Sequence, residues 1–374
     1  MGGICCVYRF LTLGVGRRCS SWSQRYVSSM GSRSALLSRL RPVTRAAAAS
    51  LALVLVGCGG SGGGAKKLTT ISGAGATFPA AAYQAWAAEY ARVTGNRVNY
   101  QSVGSGAGVR QFLAGTVDFG ASDESLSDEE FGQGVAAQRG VVQVPMLGGT
   151  VTPAYNNSDC PDLKLTQAQL TDVFLGKIRD WKDLGCPSRP ITVVHRSDGS
   201  GTTKVFTDSL SCFSDEWKSR VGSGKSVSWP VGVGGKGNEG VSGTLAQTPG
   251  SIGYVNQAYV RGAIRAAALQ NREGRFVMAD AKSGAAGLNG VVLDGKLGGS
   301  DCNPAGADSF PIVAFTWILA YGSGQGAEKA EAVRAFLDWA LTEAPQRQAS
   351  ELGFVPLQGE VLSKARAAIA SIRE

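Results

Sequence analysis

Histidine is almost missing from this chain of 374 residues, which contains only His195. Protein metal sites are commonly built from clustered histidine, cysteine and carboxylate side chains, and structural zinc sites usually include a CxxC pair. The eight cysteines form no such pair. We therefore expect no metal site and no cofactor, and a metal-dependent hydrolase is disfavoured.

Acidic residues and lysine are absent from residues 1–58, although this stretch carries eight arginines. Removing these eight from the 37 basic residues leaves 29, which equals the 29 acidic residues. The net charge of +8 thus belongs to the N-terminal region, and the rest of the chain is formally neutral. A neutral body lacks the basic footprint of a nucleic-acid-binding protein, so we expect no nucleic-acid partner.

The N-terminal region resembles an export signal. From Met30 a basic stretch, MGSRSALLSRLRPVTR, precedes the apolar AAAASLALVLVG and then Cys58, which is the order of a secretory signal peptide. LVGC resembles a bacterial lipobox, and this predicts an exported protein anchored through a lipid on Cys58. An ordinary transmembrane anchor is the alternative. Residues 1–58 form the predicted extension and signal, 59–67 a flexible tether, and translation is expected to start at Met30.

Four of the cysteines stand apart from this N-terminal region: Cys160, Cys186, Cys212 and Cys302. An even number in an exported chain predicts two disulfides, for which three connectivities are possible. We favour Cys160–Cys186 and Cys212–Cys302. Free thiols or a zinc site are the alternatives.

Strand-like and helix-like segments alternate along the rest of the chain, which predicts an α/β fold. The apolar stretches Val141–Val151 and 310–321 would each cross from one lobe to another. We expect a first lobe at residues 68–148, completed by 308–374, and a second lobe at 152–305. Such lobes close on a ligand by hinge motion.

Three turns rich in glycine and hydroxyl residues each follow a predicted strand and precede a predicted helix: GAGATF, SVGSGAG and RSDGSGTT. Free N–H groups and partial positive charge at a helix N-terminus favour anions. Three such turns together predict one anion site. Neither GAGATF nor GSGAGV completes GxGxxG, DGSGT is not GxSxG, and GSGKS lacks the first glycine of a P-loop. A further stretch, GGKGNEG, is typical of a mobile loop.

Longer motifs resemble one family. They are GAGATFPAAAYQAWAAEY, VNYQSVGSGAGVRQFLAGTVDFGASDESLSDEE, FLGKIRDW, RSDGSGTTKVF, WPVGVGGKGNEGV and IGYVNQAYV. In this order they are similar to the phosphate-binding proteins of bacterial high-affinity phosphate ABC transporters, from about residue 68 to the C-terminal helix. The resemblance implies a type II periplasmic-binding-protein fold, a ligand between two lobes, and an ABC permease and ATPase as partners.

By the same resemblance, eight residues would hold phosphate: Thr77, Phe78 (through its backbone N–H), Ser105, Asp123, Arg196, Ser200, Gly201 and Thr202. The chain departs from the family at GSGAG, where GSSGG is common, and at His195, where arginine often precedes Arg196. Ser105 and Arg196 themselves are retained, so the departures bear on affinity or pH response.

Two aspartates and the histidine need separate interpretation. Asp123 would repel an anion unless the ligand donates a proton, as hydrogen phosphate does and sulfate does not; helix capping is its alternative role. Asp198 would orient the Arg196 guanidinium, or stabilise its own turn. Strand alternation turns His195 away from the face of Arg196, which disfavours a role as general base.

The sequence therefore predicts a binding protein, not an enzyme. It would capture inorganic phosphate, act as a monomer, and deliver phosphate to a permease. A secreted phosphatase is the main competing interpretation, although an activated nucleophile or metal cluster is missing. A receptor for another oxyanion, or a sensor without transport partners, also remains open.

Overall fold

The computed structural model describes residues 68–374. The predicted extension, signal peptide and tether at 1–58 and 59–67, together with Cys58, lie outside the described residues. Within the described part, no helix combines the length and apolarity needed to cross a bilayer.

The described part of the chain contains twelve strands, twelve α-helices and two short 3-10 helices, Trp181–Leu184 and Gln257–Tyr259. The strands are β1 Thr70–Gly75, β2 Arg97–Ser102, β3 Phe119–Ser122, β4 Val141–Asn156, β5 Lys164–Leu165, β6 Thr192–Arg196, β7 Val233–Gly235, β8 Ser251–Asn256, β9 Arg265–Ala266, β10 Ala268–Gln270, β11 Phe276–Val277 and β12 Val313–Tyr321. The helices are α1 Ala80–Thr94, α2 Ser105–Leu113, α3 Asp128–Phe131, α4 Gly134–Arg139, α5 Gln167–Phe174, α6 Gly201–Phe213, α7 Asp215–Arg220, α8 Gly237–Gln247, α9 Ala281–Leu288, α10 Ala327–Ala340, α11 Glu343–Glu351 and α12 Gly359–Ala370.

Most strands join one sheet in the order β2-β1-β3-β12-β4-β8-β6-β7, and β9 also pairs with β4. Strand β4 belongs to both halves of this sheet. Its residues 141–150 pair antiparallel with β12, and its residues 151–156 pair antiparallel with β8. We call the half with β1, β2, β3 and β12 lobe 1, and the half with β6, β7 and β8 lobe 2. The type II, two-lobed α/β fold expected from the sequence is confirmed.

The helix ends follow ordinary local rules. Helix α1 begins after Pro79 and ends at Gly95, whose φ of 79° is left-handed and whose N–H donates to the Ala91 carbonyl. Ser127 caps α3 in a reciprocal capping box with Glu130. Burial holds the helices on the sheet; Trp86 of α1, for example, is fully buried and donates its indole N–H to the Pro345 carbonyl.

Both disulfides that we favoured are formed. The Cα atoms of Cys160 and Cys186 are 5.5 Å apart, and those of Cys212 and Cys302 are 6.2 Å apart. The second bridge spans 90 residues and ties α6 to the segment that precedes β12.

The lobe boundaries stay a prediction, and the contacts favour moving one of them. We placed residues 281–300 in lobe 2. Yet the Trp317 indole of β12 donates to the Leu297 carbonyl at 2.8 Å, and the Gln143 amide donates to the Lys296 carbonyl at 3.0 Å. These contacts favour a return to lobe 1 near residue 281, well before residue 308.

Candidate anion-binding site

The three predicted turns meet between the lobes. GAGATF links β1 to α1 and SVGSGAG links β2 to α2, both in lobe 1, while RSDGSGTT links β6 to α6 in lobe 2. The glycine-rich residues after Gly104 form the first turn of α2 and are not a separate loop. All eight residues predicted to hold the ligand are buried: Thr77, Phe78, Ser105, Asp123, Arg196, Ser200, Gly201 and Thr202.

Direct contacts show how closely the lobes approach. The Gly106 N–H of lobe 1 donates to the Gly199 carbonyl of lobe 2 at 2.9 Å. A Cβ added to Gly201 would lie 2.6 Å from the Ser105 hydroxyl and 2.8 Å from the Asp123 Cβ. Only glycine permits this approach. The N-terminus of α6, with its free N–H groups, therefore faces the lobe 1 residues directly.

The Arg196 guanidinium is the buried cation of the site, with 4% of the residue exposed. Its Nε and Nη2 donate to Asp198 Oδ1 and Oδ2 at 2.7 and 2.6 Å. The third nitrogen, Nη1, lies 3.4 Å from the Thr202 hydroxyl. This bidentate pairing fixes the plane of the guanidinium and directs Nη1 toward the space between the lobes.

Asp123 accepts hydrogen bonds from hydroxyl groups, whereas Asp198 is paired with the Arg196 guanidinium. The Thr316 hydroxyl donates to its Oδ1 at 3.0 Å and the Thr202 hydroxyl to its Oδ2 at 3.2 Å. Burial raises the pKa of Asp123 to about 7, and the Thr316 hydroxyl, the charge of Arg196 and the Thr202 hydroxyl offset that rise only in part. Near neutral pH this carboxyl can therefore either accept or donate a proton.

Phe78 and Ser200 serve the fold as well as the site. The Phe78 ring is fully buried against Phe354, with ring centroids 6.1 Å apart, so its backbone N–H is the group that remains near α1. The Ser200 hydroxyl accepts the Thr203 N–H at 3.0 Å and so caps α6. A side chain that already caps its own helix is held in one orientation.

Three consecutive residues of GGKGNEG, a stretch that we expected to be a mobile loop, also contact the site. The Gly237 N–H donates to Asp198, Asn238 donates to Thr77 and Thr202, and Glu239 accepts from the Ser102 hydroxyl at 2.8 Å. Asn238 is fully buried. The only available clue was a polar residue following glycine at a helix start, which does not reveal a partner in the other lobe.

Charged side chains also join the lobes at the rim of the cleft. Lys225 Nζ of lobe 2 lies 3.2 Å from Glu124 and 3.1 Å from Glu130, both of lobe 1. The Tyr259 hydroxyl donates to the Thr77 carbonyl at 2.7 Å. These contacts form only when the lobes are closed, so the structure represents a closed arrangement.

His195 lies on the opposite side of β6 from this site. Its ring stacks on Trp229 with centroids 4.9 Å apart, and its Nδ1 lies 3.0 Å from the Arg196 carbonyl. Burial lowers the pKa of His195, which favours the neutral ring. Within residues 68–374 no cluster of histidine, cysteine and acidic residues could hold a metal ion.

Comparison with known proteins identifies the family to which the chain is similar. Residues 60–344 match a family model described as PBP superfamily domain. The phosphate-binding protein PstS of Pasteurella multocida is 42% identical over 80% of this chain and 89% of that protein. The protein of the same name from Haemophilus influenzae is 42% identical over 79% of this chain and 90% of that protein.

A solved structure agrees in fold. The high-affinity periplasmic phosphate-binding protein PfluDING, determined with bound phosphate, superimposes with a TM-score of 0.66 at 24% identity. The match covers 80% of this chain and 93% of that one. This chain therefore belongs to the PBP superfamily and, within it, to the family of the phosphate-binding proteins PstS.

Proposed function

We propose that this protein is the substrate-binding component of a phosphate ABC importer, which closes its two lobes on one phosphate ion. Its relatives at 42% identity are named as phosphate-binding proteins. The eight residues that the family resemblance assigns to phosphate are all buried where the two lobes meet.

The observation that carries this proposal is the pairing of a buried arginine with a buried carboxyl of raised pKa. Arg196 and the N-terminus of α6 supply positive charge and N–H donors for an oxyanion. Asp123 supplies an acceptor for a ligand that carries its own proton. Hydrogen phosphate meets both requirements, whereas sulfate leaves Asp123 facing lone pairs.

The energy of such a site is sufficient for tight binding. A hydrogen bond to a charged group contributes about 1.5–3 kcal/mol net. A handful of them supports at least micromolar affinity, which corresponds to about 8 kcal/mol.

The same geometry favours a receptor over an enzyme. A hydrolytic serine needs a base within hydrogen-bonding reach, but the Ser200 hydroxyl accepts a backbone N–H of its own helix and His195 stacks on Trp229. We expect no turnover of a chromogenic phosphate ester. Measurable hydrolysis that is lost in Ser200→Ala would favour the phosphatase interpretation instead.

The proposal also covers the location of the protein and its partners in transport. We propose export, a lipid anchor on Cys58, and delivery of phosphate by the monomer to a membrane permease and its ATPase. The lipobox-like LVGC before Cys58 supports the anchor, and the naming of relatives as PstS supports the transport role.

Calorimetric titration tests the binding function. The purified protein, freed of bound phosphate by an enzymatic phosphate scavenger, is titrated with phosphate, arsenate and sulfate at pH 7.5. We expect phosphate to bind most tightly, and arsenate, which also carries a proton, to bind better than sulfate. No heat with phosphate, or sulfate bound as tightly as phosphate, would overturn the proposal.

A further inference from the structure

Asn238 is a fully buried polar residue in the first turn of α8, and it reaches from lobe 2 into lobe 1. Its backbone N–H and its side-chain Nδ2 both donate to the Thr77 hydroxyl, at 2.9 and 2.7 Å. Nδ2 also lies 3.2 Å from the Thr202 hydroxyl. One side chain therefore contacts two of the predicted phosphate residues, one in each lobe.

The orientation of the Asn238 amide is set by a partner outside the site. Its Oδ1 accepts the Asn256 N–H at 2.9 Å. A reversed amide would place two donors against each other, so the NH₂ group must face Thr77 and Thr202. Asn256 is itself held, because its side chain donates to the Thr150 carbonyl and accepts the Ala258 N–H.

This arrangement determines what the Thr77 hydroxyl can do. A hydroxyl has two lone pairs and one proton. The two N–H groups of Asn238 occupy both lone pairs of Thr77, so its proton remains free to be donated. An anion site requires donors, and a threonine with both lone pairs occupied can contribute only as a donor.

Thr202 is controlled in the same way. Its hydroxyl accepts from Asn238 and from Arg196, and it donates to Asp123 Oδ2 at 3.2 Å. The Thr77 proton is thus free to be donated to an anion, whereas the Thr202 proton is donated to the Asp123 carboxylate. Both arrangements depend on the same amide group.

We propose that Asn238 is a positioning residue of the phosphate site, which fixes Thr77 as a hydrogen-bond donor and holds the closed lobes together. The inference rests on the proposed function and adds to it a residue that does not itself touch the ligand. Because Asn238 and Thr77 lie in different lobes, their bonds form only on closure. Asn238 therefore slows phosphate release and leaves the initial capture by the open protein unchanged.

The test is a double-mutant cycle on the rate of phosphate release. Phosphate binding to the full chain is followed by stopped-flow tryptophan fluorescence, and release is followed by trapping with a phosphate scavenger. The variants are Asn238→Ala, Thr77→Val and the double variant. We expect Asn238→Ala to raise the release rate about tenfold, which corresponds to about 1.4 kcal/mol, with the association rate changed less than threefold.

The double variant distinguishes positioning from packing. If Asn238 acts through the Thr77 hydroxyl, Asn238→Ala adds less than threefold to the release rate once Thr77 is valine. Additive effects of the two changes would overturn the inference. An association rate that falls as much as the release rate rises would also overturn it.

Asn238→Asp keeps the shape and reverses the polarity facing Thr77. A carboxylate there accepts the Thr77 proton and draws it away from the anion, so we expect a larger loss than with alanine. A residue that only filled space would give the opposite order. If Asn238→Ala does not fold, the same cycle with Asn238→Asp decides, and additivity with Thr77→Val again overturns the inference.

Asn271 offers a matched control, because it is a buried asparagine whose side chain bonds to residues at 273–275 and 306–309, including the Ala307 carbonyl at 2.9 Å. Asn271→Ala is expected to lower the melting temperature without changing phosphate release. A parent protein that shows no phosphate binding overturns the proposed function. If the parent protein binds phosphate but the effects of the two substitutions on the release rate are additive, only the role of Asn238 is overturned.

Discussion

The fully buried Asp123 and the partly buried Asp198 lie on either side of Thr202 and Arg196, and their pKa values are shifted in opposite directions. Burial raises the pKa of Asp123 to about 7. Burial also acts to raise the pKa of Asp198, but the hydrogen bonds and charge of Arg196, with the Gly237 N–H, outweigh it and hold that pKa below its ordinary value. The difference lies in the partners, since hydroxyls face Asp123 and a guanidinium is paired with Asp198.

This contrast separates two roles that a carboxylate can take in an anion site. Asp198 is neutralised by Arg196 at 2.6 and 2.7 Å and belongs to the framework of the protein. Within residues 68–374 no cation forms a comparable ion pair with Asp123, and we infer that this carboxyl is available for a proton from the ligand. On this proposal the position of Arg196 makes Asp198 a structural support and leaves Asp123 for ligand recognition.

Removing Arg196 should have the largest effect, because this arginine lies next to both aspartates. Arg196→Met leaves the partly buried Asp198 without its cation and removes the charged donor that we propose for phosphate. We expect phosphate affinity to fall on the order of 10³-fold by calorimetry, since truncating one partner of a buried charge pair costs about 2–5 kcal/mol.

The control for this prediction is Arg189→Met, because Arg189 forms a partly exposed pair with Asp159 at 3.0 Å. Exposed pairs contribute little, so its affinity should match the parent. A loss below tenfold in Arg196→Met would contradict the account.

Neutralising Asp123 tests whether this carboxylate excludes sulfate from the site. Asp123→Asn replaces a repelled carboxylate by an amide that can donate to a sulfate oxygen. We expect sulfate affinity at pH 8 to rise by about tenfold or more, equivalent to at least 1.4 kcal/mol, while phosphate affinity falls. Competition titrations with both anions measure the ratio, and an unchanged ratio would show that Asp123 does not discriminate.

Neutralising Asp198 has a smaller effect on binding and a clear effect on stability. Asp198→Asn keeps the side-chain shape but weakens the bond to Arg196, and this should cost roughly 1–3 kcal/mol of unfolding free energy at pH 7. Because the folded pKa of Asp198 is lowered, its contribution is present at neutral pH and is lost as the pH falls through that value. Phosphate affinity should change less than tenfold.

The two aspartates should therefore give pH profiles of opposite sign in the ligand-free protein. The raised pKa of Asp123 makes the folded state bind its proton more tightly, so this group lowers stability as the pH rises from about 4 to about 7. Urea unfolding across pH 3–8 measures the pH dependence of stability that each aspartate contributes. In Asp123→Asn, the unfolding free energy should no longer decline as the pH rises toward neutral. In Asp198→Asn, the unfolding free energy should fall less in acid. Identical pH profiles for the two variants would refute the opposite pKa shifts of the two aspartates.

His195 should have the smallest effect. Its ring stacks on Trp229 and lies away from the cleft. His195→Asn is expected to change phosphate affinity less than twofold at pH 6 and at pH 8, as followed by calorimetry. A larger change at pH 6 would give the histidine a part in the pH response after all.

The sequence predicted those parts of the site that are encoded locally. Thr77, Ser105 and Ser200–Thr202 stand at strand-to-helix junctions, where glycine and hydroxyl residues are recognisable without a structure. The direction of His195 followed from strand alternation. The two lobes followed from the alternation of strands and helices and from two long apolar strands.

Contacts between residues that are far apart in the sequence could not be predicted in this way. Asn238 meets Thr77 across the two lobes and across 161 positions of sequence, and Thr316 meets Asp123 within lobe 1 across 193 positions. No local pattern specifies such pairings, because they depend on the tertiary packing of the strands and lobes. The contacts of Leu297 with Trp317 and of Lys296 with Gln143 likewise join distant segments, and no local pattern indicated that residues 281–300 contact lobe 1.

Proton uptake on anion binding tests the central claim most directly. Calorimetry at pH 7.5 in two buffers of different ionisation enthalpy counts the protons that accompany each ligand. If Asp123 must share a proton with the bound anion, sulfate should take up about one proton from the buffer and phosphate nearly none, because phosphate brings its own. Asp123→Asn should abolish the uptake with sulfate. Equal proton counts for the two anions in the parent protein would contradict the account.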